Sequence, residues 1–201
     1  MRIGIITQPL RYNYGGVIQN WALQTVLKRL GHDVVTLDPW PYKELPKVWL
    51  PFVYAKRLLK RMIGQSVQIR KEWRSNRAYN VKVTNIRPFI DRNINVRYYK
   101  KWSELSSSDY DALVVGSDQV WRSVYNKSWG RNIRNMFLDF SANWNVKRIS
   151  YAASFGAEEW ELPELETAAC AQLLKKFDAV SVREASGVDL CKKWLGRNDA
   201  L

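Results

Sequence analysis

The chain has 201 residues, 46% of them apolar and 25% charged, with a net charge of +13; this is the profile of a folded globular chain and excludes disordered, collagen-like and coiled-coil classes. Its two cysteines, Cys170 and Cys191, and single histidine, His32, are too few for a disulfide framework or a Cys/His zinc site, so no metal is expected. No apolar run approaches the roughly 20 residues of a membrane span, and the short run after Met1-Arg2 lacks the apolar core of a secretory signal, so a cytoplasmic chain is expected.

Arg2 to Thr7 (RIGIIT) is a β-branched run that predicts a buried strand. A loop rich in turn formers follows, Gln8 to Gly16. Val17, Trp21, Leu23, Leu27 and Leu30 then recur at helical spacing up to a stop at Gly31. Asp33 to Leu37 (DVVTL) predicts a second strand. Strand, loop, helix and strand within so short a stretch form a βαβ unit, which implies a parallel sheet. Prolines 39, 41, 46 and 51 interrupt what comes next. Val53 to Ile63 predicts a helix with Ala55, Leu58, Leu59 and Met62 on one face and Lys56, Arg57, Lys60 and Arg61 on the other. A looser polar stretch runs to Lys101. Trp102 to Ser107 predicts a short helix, and Ala112 to Val115 a strand. Met136 to Phe140 and Arg148 to Ala152 read as further strands. Pro163 to Lys176 predicts a helix, Ala179 to Val182 a strand and Ser186 to Leu195 a last helix. The fold class is therefore α/β: a Rossmann-like parallel sheet with flanking helices.

Ligands of open parallel sheets bind outside the carboxyl ends of the strands, and four loops fall there. Asn13-Tyr14-Gly15-Gly16 opens a helix with paired glycines, which allow close backbone approach and present N–H groups to an anion; a plain tight turn is the competing reading. Gly116-Ser117-Asp118-Gln119 places an acid, an amide and a hydroxyl after a buried strand. Asp118 can hold a sugar hydroxyl or act as a base there, or merely cap a helix. Ala153-Ser154-Phe155-Gly156 is a third loop of small residues. Arg183-Glu184-Ala185-Ser186 is the fourth, where Arg183 can grip a carboxylate or phosphate, or form a surface pair with Glu184.

The charge is unevenly placed. Residues 41 to 101 hold 16 Lys/Arg and three acids, whereas the other 140 residues hold 16 of each sign. A neutral domain thus carries one basic, partly helical insertion, which predicts a polyanionic partner such as an anionic membrane surface; the competing reading is a solvated face. No nucleic-acid motif accompanies the charge, so nucleic acid is the less favoured partner. Ten tryptophans point to core packing or, alternatively, to stacking on sugars or bases.

Taken together, IGIITQPLRYNYGGVIQNWALQTVLKRLGHDV, DYDALVVGSDQVW, FLDF, KRISYAASFG and LLKKFDAVSVREASGVDLCKKWLG resemble the polysaccharide pyruvyl transferase family. The resemblance implies one lobe of a two-lobed, GT-B-like architecture, with a second, C-terminal lobe absent from this chain. It implies transfer of a pyruvyl group from phosphoenolpyruvate, as donor substrate and with no further cofactor, onto a sugar of a surface polysaccharide or lipid-linked glycan, as a ketal. By motif position it assigns Asp118 to the acceptor hydroxyl, Arg183 to an anionic group, and Asn13, Gly15 and Gly16 to the acceptor side. Tyr14, Gly116, Ser117, Gln119, Ser154, Glu184 and Ser186 complete the expected lining. Part of the family's donor-handling basic residues lies in the missing half. The isolated half is therefore expected to be inactive, and His32, behind the helix-ending Gly31, is not assigned to catalysis. Lys56, Arg57, Lys60 and Arg61 are the expected membrane contacts, on the inner face. A nucleotide-sugar glycosyltransferase of similar architecture and a non-catalytic basic remnant are the alternatives.

Overall fold

The structure is a computed structural model that describes residues 1–42, 44–128 and 132–201. Six strands form one sheet: β1 (Arg2–Ile6), β2 (Asp33–Pro39), β3 (Val96–Tyr99), β4 (Ala112–Gly116), β5 (Lys147–Ala153) and β6 (Ala179–Val182). Their order is β3-β2-β1-β4-β5-β6, and every pairing is parallel. The chain winds outward from β1 in one direction to β3, returns to β4 beside β1, and winds outward the other way. Connections from β1 and β4 therefore leave in opposite directions, and a crevice opens between the carboxyl ends of these two strands. The expected Rossmann-like sheet is present, and one such sheet accounts for all the described strands.

Helix α1 (Tyr14–Arg29) starts three residues before the predicted Val17 because Asn13 caps it: the Asn13 side chain accepts from the Gly16 N–H at 3.3 Å. α1 joins β2 through polar as well as apolar atoms. Asn20 and Gln24, one turn apart, both donate to the buried Thr36 hydroxyl at 2.9 and 3.0 Å, and Gln24 also receives the Asn95 N–H at 2.8 Å. Each group in this network would carry a desolvation cost if left alone, so the network fixes the rotation of α1 about its axis.

The insertion is more ordered than its composition suggested. It holds α2 (Leu50–Met62), α3 (Lys71–Val83) and α4 (Arg87–Asn93). α3 and α4 turn Tyr79, Val83, Ile86, Ile90 and Ile94 onto Leu10 and Val17, a second small core beneath the start of α1. Their polar residues mask this face in the sequence, and β3 (VRYY) lies hidden at the end of the same stretch.

The main core lies on the other side of the sheet, against α5 (Ser123–Ser128), α6 (Glu164–Leu174) and α7 (Ala185–Leu195). Trp121 is its centre. Its ring stacks on Phe137 at 4.8 Å and its indole N–H donates to the Met136 carbonyl at 3.0 Å, so the amphipathic ring is buried with its polar end satisfied. The predicted strand at Met136 to Phe140 is corrected here. This segment is two 3-10 turns, Ile133–Phe137 and Asp139–Ser141, separated by Leu138 at φ 63°. Met136, Phe137 and Leu138 are all fully buried. A short apolar run of this kind carries no period that separates a strand from a buried turn. The predicted helix at Trp102 to Ser107 is likewise a pair of 3-10 turns, Trp102–Glu104 and Ser107–Asp109. No described helix is long and apolar enough to cross a membrane.

Candidate functional site

The crevice between β1 and β4 is a cleft of about 310 Å³ lined by Gln8, Pro9, Tyr12, Asn13, Gly16, Asp118 and Tyr125. Two of the four predicted loops therefore converge. The first is held from below: Asp38, buried at the end of β2, accepts the Leu10 N–H at 3.0 Å. It is tied sideways by Gln8, whose side-chain amide donates to the Gln119 carbonyl at 2.8 Å.

The second loop is shaped by Gly116. Its φ of +128° is a conformation that side chains rarely adopt, and a Cβ built there would lie 2.2 Å from the Tyr151 carbonyl oxygen. Only glycine lets the ends of β4 and β5 approach so closely. The chain then turns Asp118 toward α1. Its Oδ1 accepts the Gln119 N–H at 2.7 Å, and its backbone carbonyl accepts the N–H groups of Val120 and Ser154 at 2.7 and 3.0 Å. Its Oδ2 is buried and has no hydrogen-bond partner among the described residues. Asp118 does not cap a helix, since α5 begins only at Ser123. A Cβ on Gly16 would come within 2.8 Å of Oδ2. The absence of a side chain at Gly16 thus lets the carboxylate lie against the first turn of α1, at the positive end of that helix. An unpaired buried carboxylate oxygen costs stability, and such a group in a cleft is a candidate for chemistry.

The third and fourth loops buttress this arrangement. The fully buried Ser154 hydroxyl donates to Glu184 at 2.7 Å and accepts the Gly156 N–H at 3.0 Å. Gly156, at φ +62°, packs where a Cβ would meet the Gln119 side chain at 2.7 Å. β5 bends just before this loop. Its register shifts between Ser150 and Ala153, Ala152 adopts φ 46°, and the Ala152 N–H donates to the Ser181 hydroxyl at 3.0 Å. Bulges of this type re-aim side chains beside sites.

Arg183 is exposed and donates through Nη2 to the Ser117 carbonyl at 2.6 Å, next to Asp118 in the chain. It does not pair with Glu184. Its side chain lines the mouth of a separate, mostly apolar groove between α1 and the sheet, which also holds Ser117, Tyr151 and His32. Tyr14 and Gly15 lie exposed at the start of α1. Ser186 lies in α7 on a different depression, with Glu158, Trp160 and Asp189. Pocket residues missed in the sequence are Gln8, Pro9, Tyr12 and Tyr125. Gln8, Pro9 and Tyr12 lie inside the loop already singled out, but nothing in the sequence distinguishes Tyr125. The described residues hold no cluster of His, Cys, Asp and Glu able to bind a metal. Both cysteines are free and buried.

A Rossmann-type sheet with an unpaired carboxylate in its switch-point crevice defines an α/β protein of the doubly wound class. The sequence pattern of polysaccharide pyruvyl transferases matches residues 13–198. The chain belongs to the polysaccharide pyruvyl transferase family. No curated protein matches it significantly.

Proposed function

We propose that the protein is a transferase of surface-polysaccharide synthesis. In this reading it moves a pyruvyl group from phosphoenolpyruvate onto two hydroxyls of a glycan or lipid-linked glycan sugar, at the cytoplasmic face of the membrane. The observation that carries the reading is the unpaired Oδ2 of Asp118 in the cleft, within a chain of this family.

Asp118 Oδ2 accepts the proton of the first sugar hydroxyl as its oxygen attacks the central carbon of phosphoenolpyruvate. The methylene carbon takes a proton from water and becomes the methyl group, and Asp118 returns the proton it accepted to water, which restores the carboxylate. The second hydroxyl attacks the same carbon, the C–O bond to phosphate breaks, and phosphate leaves with the second hydroxyl's proton. The products are a cyclic ketal and inorganic phosphate, with no change of oxidation state. Asn13 and Gly16 line the acceptor side with Gly15 exposed beside them, and the guanidinium of Arg183, anchored on Ser117 in the neighbouring groove, meets the donor's carboxylate or phosphate across the Ser117 turn.

Titration calorimetry of the purified chain tests the binding step. Phosphoenolpyruvate binds the wild type and Asp118→Asn alike and fails to bind Arg183→Ala. Binding of nucleotide sugars in place of phosphoenolpyruvate would overturn the reading in favour of a glycosyltransferase.

A further inference from the structure

The basic insertion contains a surface that the transfer chemistry does not use. Helix α2 has no buried residue. Leu50, Val53, Tyr54 and Arg57, at helical spacing, are the residues it turns partly inward, and Arg57 is held there by Glu72 at 2.7 Å. Its apolar stripe faces solvent. Phe52 is 67% exposed, Leu59 63%, Met62 81% and the adjoining Ile63 73%, while Trp49, 60% exposed, sits against Phe52 at the helix start. At 100° per residue, Lys56 and Lys60 run along one margin of this stripe, whereas Arg61 lies on the opposite side of the helix, in the lining of the cleft at its end. The alternative in which the apolar face packs on the domain is not what is seen: Leu58, Leu59 and Met62 are exposed, as are Lys56, Lys60 and Arg61.

Two further features sit beside the stripe. Residues 45 to 71 contain seven Lys/Arg and no acid. The C-terminal end of α2 opens onto a cleft of about 720 Å³ lined by Arg61, Arg70, Arg74, Trp73 and two glutamines. A solvent-facing apolar stripe bordered by cations, with an arginine-lined recess at its end, fits a surface that is apolar below and anionic above.

We infer that α2 docks the protein on an anionic phospholipid bilayer. Phe52, Leu59, Met62 and Ile63 enter the acyl boundary, Lys56 and Lys60 meet the headgroup phosphates, and the recess that Arg61 lines with Arg70 and Arg74 receives a headgroup. The uniform positive charge disfavours a second copy of the same face as the occupant, and a polyanion without an apolar layer leaves the stripe uncovered. The inference does not rest on the transfer reaction.

Co-sedimentation of the whole chain with vesicles tests it. The wild type binds phosphatidylglycerol-containing vesicles and not pure phosphatidylcholine ones. The pair Leu59→Glu and Met62→Glu abolishes binding while leaving the melting temperature unchanged, because both side chains are already in water. Lys56→Glu, Lys60→Glu and Arg61→Glu together weaken binding by on the order of 100-fold or more. Equal or negligible binding to both vesicle types would overturn the inference. So would full retention of binding in the Leu59/Met62 variant, which marks a purely electrostatic polyanion surface. Displacement by inorganic phosphate but not by chloride of equal ionic strength would mark a small-anion site and overturn it too. Self-association lost in the Leu59/Met62 variant, without vesicle binding, would assign the stripe to a second copy.

Discussion

Gly116→Ala probes the geometry that aims Asp118. At φ +128° an alanine is strained, and its Cβ overlaps the Tyr151 carbonyl oxygen at 2.2 Å. The backbone strain costs about 1–3 kcal/mol, and forcing the overlap apart within a packed sheet costs about 1–3 kcal/mol more. A total of about 4 kcal/mol lowers the melting temperature of a chain this size by roughly 8–16 °C. Gly31→Ala is the internal control. It also has a positive φ, +84°, but no atom lies within 4 Å of its added Cβ, so only the strain of about 1–2 kcal/mol remains. Thermal unfolding followed by circular dichroism compares the two. If Gly116→Ala melts no lower than Gly31→Ala, the close approach of the β4 and β5 ends is wrong, and with it the placement of the Asp118 loop.

Other measurements check other parts of the structure. Arg57 holds the Glu72 carboxyl down at about 2, against its ordinary 4.5. Because the folded value is the lower one, the stabilisation is present above pH 4.5 and fades as pH falls toward 2. Glu72→Gln therefore melts below the wild type at pH 6, and the gap narrows below pH 4.5 in parallel melts. Burial pushes the thiols of Cys170 and Cys191 up to about 12, so a thiol reagent at pH 8 labels neither in the folded protein and both in denaturant; fast native labelling of either would contradict the packing of α6 and α7. Trp121→Ala removes the stacked centre of the main core and costs about 3–5 kcal/mol, measured by urea unfolding.

The parts of this fold that the sequence discloses are those where burial imposes a simple period. β1, β2 and β4 are short β-branched runs buried on both faces, and α6 and α7 carry their own start and stop residues. α3, α4 and β3 escape because their buried side chains are scattered among arginines and asparagines. Met136 to Phe140 misleads because its residues are buried by a left-handed turn at Leu138 rather than by pleating. The site divides the same way. Asp118 and Gly16 are legible as members of two strand-end loops, since a βαβ pattern already sends such loops to one edge. That Oδ2 lies against Gly16, unpaired, is a matter of ångströms set by Gly116 and the β5 bulge, and the Ala152 conformation leaves no trace in residue type. The outward stripe of α2 is the converse case. Its amphipathic pattern is plain in the sequence, but which face meets water depends on Arg57 being drawn inward by Glu72, fifteen residues away.

The most direct test of the central claim is the pyruvate ketal content of the surface polysaccharide in cells whose own gene carries Asp118→Asn, read from the ketal methyl resonance by NMR. The substitution keeps the Oδ1 bond to Gln119 and removes only the basic oxygen, so the protein is expected to accumulate and melt as the wild type does. The account predicts loss of the ketal signal, by about 100-fold or more if Asp118 is the general base. Unchanged ketal content with normal protein levels would contradict it.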